Sequence, residues 1–128
     1  MTYGNVPRFK VPALATAELR AYIHGWADTP LLPTDIDTVA WKLYELNQAR
    51  KTLTEVEGYG EDSIDPADVI SVTLQQGRKI LYNFAHTPPN RTTPPYMEIG
   101  KVYRLHYICR PQNAEEQDLV IPFEIEVI

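Results

Sequence analysis

The sequence predicts a predominantly β, two-sheet fold, and three observations carry that expectation. Apolar and polar residues alternate along most of the C-terminal half, tyrosine is frequent at 8 residues, and proline is frequent at 11. Period-two alternation places one set of side chains on one buried sheet face. Tyr favours strands and binding surfaces, whereas Pro favours loops and strand edges. A length of 128 residues fits one domain, and the 44% hydrophobic and 23% charged fractions are those of an ordinary globular core. A chain of about 150 residues buries about 70% of its unfolded surface, so neither metal nor disulfide is required to hold it.

Residues 1–14 read as an extended N-terminal arm. They contain Pro7 and Pro12, the bases Arg8 and Lys10 and no acid, a charge of +2 against −5 for the whole chain, which leaves −7 on the remainder. Residues 15–128 then form a single β-sandwich domain. Its first strand alternates Ala17, Leu19, Ala21 and Ile23 with Glu18, Arg20, Tyr22 and His24. From Ile36 to Leu53 two spacings compete. Ile36, Val39, Ala40, Leu43 and Tyr44 satisfy a helix, and Val39, Trp41 and Leu43 line a strand. The strand is preferred because β-branched and aromatic residues cluster from Thr38 to Tyr44. Gly58 to Asp68, rich in acids, and Thr87 to Pro95, with four prolines, read as long loops. Asp65 could cap one short helical turn beginning at Pro66, with a short strand through Val72 and Leu74 beyond it.

The later strands are plainer. Ile80, Tyr82 and Phe84 share one face of a strand. Tyr103, Leu105, Tyr107 and Cys109 alternate with Arg104, His106 and Arg110, and the polar stretch Pro111 to Asp118 connects them as a hairpin to the last strand. There Leu119, Ile121, Phe123, Ile125 and Val127 share one face against Pro122, Glu124 and Glu126. Trp41, Tyr103 and Phe123 are the expected structural anchors of the core.

The segment Gly100-Lys101-Val102-Tyr103-Arg104-Leu105-His106-Tyr107 resembles the strand that opens with the tyrosine corner in immunoglobulin-like and fibronectin type III-like domains. There a Tyr hydroxyl bonds back to the preceding turn while the ring enters the core; Tyr103 would hold that position. With Thr38 to Leu46, Asp68-Val69-Ile70, Tyr82-Asn83-Phe84 and the last strand, the pattern over residues 15 to 128 is similar to small immunoglobulin-like proteins of tailed-phage structural modules. Cys109 is single, so the disulfide that bridges the two sheets in antibody domains has no counterpart. The resemblance implies a virion structural protein of the capsid decoration, cement or head–tail connector type, assembled in the host cytoplasm. It also implies protein subunits as partners, in a homo-oligomer or with capsid or tail proteins.

The remaining signals exclude more than they assign. Met1 to Leu14 lacks the apolar run of a secretory signal and no ~18-residue apolar stretch occurs, so no membrane partner and folding in a cytoplasm are expected. Without such a signal, the glycosylation acceptor Asn90-Arg91-Thr92 is read as chance. The net charge of −5 argues against nucleic acid as a general ligand. His24, His86, His106 and Cys109 do not form a metal site, because His106 and Cys109 lie on opposite faces of their strand. Asp62, Asp65 and Asp68 lack the ligand order of a calcium loop. No phosphate-binding loop or nucleophile elbow is present. The expectation is a non-enzymatic chain with no cofactor and no small-molecule substrate. Arg8, Phe9 and Lys10 of the arm, one ring between two cations, and Trp26 beside a turn are the candidate partner-binding residues. An acidic inhibitor occupying a basic groove of a host enzyme is the alternative function.

Overall fold

The computed structural model describes residue 6 and residues 8–12, 17–25, 29–76, 81–88 and 97–128. It is mainly β: β1 (Arg8–Val11), β2 (Leu19–Ala21), β3 (Ile36–Asn47), β4 (Thr52–Glu55), β5 (Glu61–Ile64), one helical turn α1 (Pro66–Val69), β6 (Ile70–Gln76), β7 (Leu81–His86), β8 (Val102–Pro111) and β9 (Leu119–Val127). A 3₁₀ turn, Pro33–Asp35, precedes β3. The larger sheet has strand order β1-β9-β8-β3-β4, with β5 also on β3, and the smaller has order β2-β7-β6.

Long-range pairing decides the ambiguous segment. β3 runs antiparallel to β8 from Ile36 opposite Pro111 to Leu46 opposite Val102, and β8 pairs in turn with β9 from Val102 opposite Glu126 to Cys109 opposite Leu119. Val39, Trp41 and Leu43 therefore face inward with Tyr103, Leu105, Tyr107 and Cys109, all at most 2% exposed. The β3–β4 hairpin closes at residues 48–51, where the Asn47 carboxamide oxygen accepts from the N–H groups of Ala49 and Arg50 at 3.1 Å each and Lys51 takes φ 54°.

The acidic stretch expected as a loop holds β5, and α1 follows it at Pro66 as the turn expected there. Ile64, Val69 and Ile70 are buried and fix it to the core, and Asp65 caps α1 by accepting from the Ala67 N–H at 3.1 Å. Gly60 is required at its entrance: φ is +119° there, and a Cβ would lie 2.6 Å from the Trp41 carbonyl oxygen.

The two sheets share one core, joined through aromatic rings. Phe84 of the smaller sheet lies 5.0 Å from Tyr107 and 6.0 Å from Phe123 between ring centroids, and Tyr107 and Phe123 meet edge-on at 5.7 Å. Buried Asn83 ties the β2–β3 connection to β7. Its oxygen accepts from Ile23 N–H at 2.8 Å, and its nitrogen donates to the carbonyls of Ile23 at 2.9 Å and Leu31 at 3.2 Å.

The arm is where the sequence reading fails. Arg8–Val11 is not set apart from the body: β1 pairs in parallel with β9, Arg8 opposite Glu124 through Val11 opposite Val127. Without β1 the edge of β9 would be open, and Phe9 and Val11 cover the inner side chains beside it; Val11 is 5% exposed. The unit that folds thus begins before residue 15.

Tyr103 is buried at the start of β8, and its hydroxyl accepts from the Glu98 N–H of the preceding turn at 2.8 Å. Tyr103→Phe removes that acceptor; because Glu98 is exposed, water can replace it, and the expected loss is ~1 kcal/mol. Phe123→Ala opens the joint between the sheets and is expected to cost ~3–5 kcal/mol. Urea denaturation of both variants checks the ranking; equal losses would contradict it.

Candidate interaction surface

Alternation along the larger sheet sends Arg8 and Lys10 of β1, Glu124 and Glu126 of β9, Arg104 and His106 of β8, and Lys42 and Tyr44 of β3 to its outer face. Cross-strand register then makes a charge cluster: Arg8 and Arg104 both sit directly opposite Glu124 on its two flanking strands. Arg8 Nε donates to Glu124 Oε2 at 2.8 Å, and Arg104 donates to Oε1. Two guanidiniums share one carboxylate whose side chain is 9% exposed, so the row keeps a net positive charge. Beside it, the Tyr44 and His106 rings lie 5.0 Å apart.

The proposed partner residues divide accordingly. Phe9 turns inward, 6.1 Å from Phe123 between ring centroids, and is committed to the chain's own core. Arg8 is tied to Glu124 yet exposed, and Lys10 is exposed on the same edge. Trp26 lies outside the described residues. Trp41 is 1% exposed, 6.3 Å from the Tyr107 ring, and belongs to the core with Tyr103 and Phe123.

Buried titratable groups are held in forms that suit structure. The Tyr107 hydroxyl and His86 Nδ1 share a 2.6 Å hydrogen bond. Burial, and secondarily the charge of Glu61, raises Tyr107 well above the phenolic range. Burial lowers His86, against a smaller opposing effect of Glu61, so both partners are neutral at pH 7. Burial, helped by Asp118, pushes the Cys109 thiol up to about 12, which keeps it protonated and unreactive. Among the described residues no three His, Cys, Asp or Glu side chains gather as metal ligands.

Two hollows are lined by described residues of the chain's turns and strand ends. One, of about 280 Å³, lies between the β2–β3 and β8–β9 connections and is lined by Gly25, Thr29, Asp35, Gln112, Asn113 and Glu116 among others. The other, of about 260 Å³, is floored by Lys101, whose ammonium bridges Glu45 and Glu98 at 2.6 Å each. Sequence reading missed both the Arg8–Glu124–Arg104 row and Asn83. The acids Glu124 and Glu126 on the polar side of the last strand were the available signal for the first.

Burial alone would raise the Glu124 carboxyl, but hydrogen bonds from Arg104 and Arg8 outweigh it and hold the group below the usual carboxylate range. Its stabilising contribution is therefore present above about 4.3 and is lost as pH falls through its lowered value. His86 and His106 are lowered chiefly by burial, with Arg104 adding to the effect on His106. The folded chain resists their protonation, so stability also declines as pH falls below about 6.5. Urea unfolding from pH 8 to pH 3 should show both declines, and Glu124→Gln should flatten the more acidic one while costing ~1–3 kcal/mol at pH 7. An unchanged acid limb in the variant would contradict the assignment.

Comparison with family models, with curated proteins and with solved structures finds no significant match to this chain.

Proposed function

We propose that the chain is a non-enzymatic, immunoglobulin-like binding module that holds neighbouring protein subunits, in the manner of a decoration, cement or connector protein of a tailed-phage virion. The strand order carries this reading. In immunoglobulin-type sandwiches the second, fifth and fourth strands form one sheet, and the seventh, sixth and third, extended by a further strand after the third, form the other. Here β2-β7-β6 takes the first pattern and β9-β8-β3-β4 the second, with β1 added on the free edge of β9. Trp41 on β3 and the Tyr103 corner at the start of β8 fall where that architecture uses a buried Trp and a bonded Tyr. Leu105, two residues beyond Tyr103, takes the inward position of the cysteine that antibody domains use on this strand.

Such a framework serves binding through its edges, sheet faces and end loops. The exposed acids Glu61, Asp62, Asp65 and Asp68 favour one second reading, an inhibitor presenting an acidic edge to a basic groove of a host enzyme. Density-gradient fractionation of lysate from the producing cells, probed for this chain, separates the two. The module reading expects the chain to co-sediment with assembled particles at a fixed stoichiometry. Recovery only in complex with a soluble enzyme would replace it with inhibition, and recovery only as free protein would overturn both.

A further inference from the structure

The larger sheet ends on β1 at one side and on β4 and β5 at the other, and these two edges are opposite in charge. β1 presents exposed Arg8 and Lys10 and carries no acid. β5 presents exposed Glu61 and Asp62, followed by exposed Asp65 and Asp68 around α1. Each strand is four residues long, and among the described strands β1 pairs with β9 and β5 with β3, each on one side. An open strand edge offers backbone N–H and C=O groups to any second strand, and edge charge decides which one is accepted. Two β1 edges repel each other, as do two β5 edges, so the symmetric pairings are disfavoured. The mixed pairing is favoured.

We infer that copies of this chain associate head to tail, the β1 edge of one against the β5 edge of the next. This rests on the binding-module reading and names one partner for it: a second copy. The contact is heterologous, so each copy keeps one basic and one acidic edge and growth continues into a ring or a filament rather than stopping at a dimer. The shared position of Glu124 between Arg8 and Arg104 fixes β1 in the sheet with Arg8 and Lys10 on its outer face, which supplies a preformed rather than a mobile contact strand. The attraction is between exposed charges. It acts over a screening length of about 10 Å at 0.1 M salt and about 3 Å at 1 M.

Sedimentation velocity of the full chain over a concentration series, at low salt and in 1 M NaCl, tests the inference without altering the protein. The expected result is species larger than a dimer at low salt that dissociate in high salt. Lys10→Glu and Asp62→Lys, each checked for folding by circular dichroism, should each weaken association roughly five- to tenfold. Their equimolar mixture should recover association beyond a pair, because the unchanged basic edge of the Asp62→Lys chain faces the unchanged acidic edge of the Lys10→Glu chain and the two reversed edges are likewise opposite in charge. A salt-indifferent dimer, or a chain that stays monomeric at low salt, would overturn the head-to-tail contact. If that monomer still co-sediments with particles, the binding-module reading stands while this inference falls; if it does neither, both fall.

Discussion

The structure depends on one joint: the packing of Phe84 from the smaller sheet against Tyr107 and Phe123 from the larger. Each sheet has an apolar face that alone would be left in water, and a domain of this size can bury both only against each other. Aromatic rings suit the task because each removes about 150–250 Å² from water and their edges and faces attract. Three consequences follow outward from the joint. Trp41 extends the ring cluster under β3, Phe9 extends it under β1, and the Tyr107 hydroxyl, which cannot reach water, is matched by His86. The Trp41 indole N–H has no hydrogen-bond partner among the described residues, an expense of ~1–3 kcal/mol that the packing around it offsets.

How much of this was legible depended on whether the signal was local. β8 and β9 carry their inward apolar residues in alternation, so their faces and the hairpin between them could be read directly, whereas the bonded hydroxyl of Tyr103 was expected only from a resemblance. β3 could not be separated from a helix by spacing alone, since Ile36, Val39, Ala40, Leu43 and Tyr44 fit both periods. What fixes it is a ten-pair register with β8, more than fifty residues away in sequence. β5 was hidden for a different reason: its acids mark it as solvated, and only Ile64 and the tight approach at Gly60 hold it to the core. The helical turn beyond it was legible, because Asp65 and Pro66 carry the cap and first-turn signals that α1 uses.

The candidate surface was legible in its residues but not in its geometry. Arg8, Phe9 and Lys10 stand out as a ring between cations, yet a four-residue strand flanked by prolines gives no hint that it joins, in parallel, a strand more than a hundred residues away. That pairing turns Phe9 from an anchor for a partner into part of the chain's own core. It also changes what the cations can do. Held on a defined edge beside Glu124 and Arg104, they become a fixed pattern of charge opposite in sign to the far edge of the same sheet, and the head-to-tail proposal rests on that asymmetry.

The direct test of the account is whether β1 belongs to the fold of a single chain. Proton NMR of the dilute full chain in high salt, where association is suppressed, reads it from two reporters. The rings of Phe9 and Phe123 lie 6.1 Å apart between centroids, and the Ile128 N–H donates to the Val11 carbonyl at 3.0 Å. The account predicts cross-relaxation between the two rings and slowed exchange of the Ile128 amide in the monomer. A Phe9 ring at unstructured-peptide shifts, with Ile128 exchanging at the free rate while β8 and β9 stay protected, would contradict it.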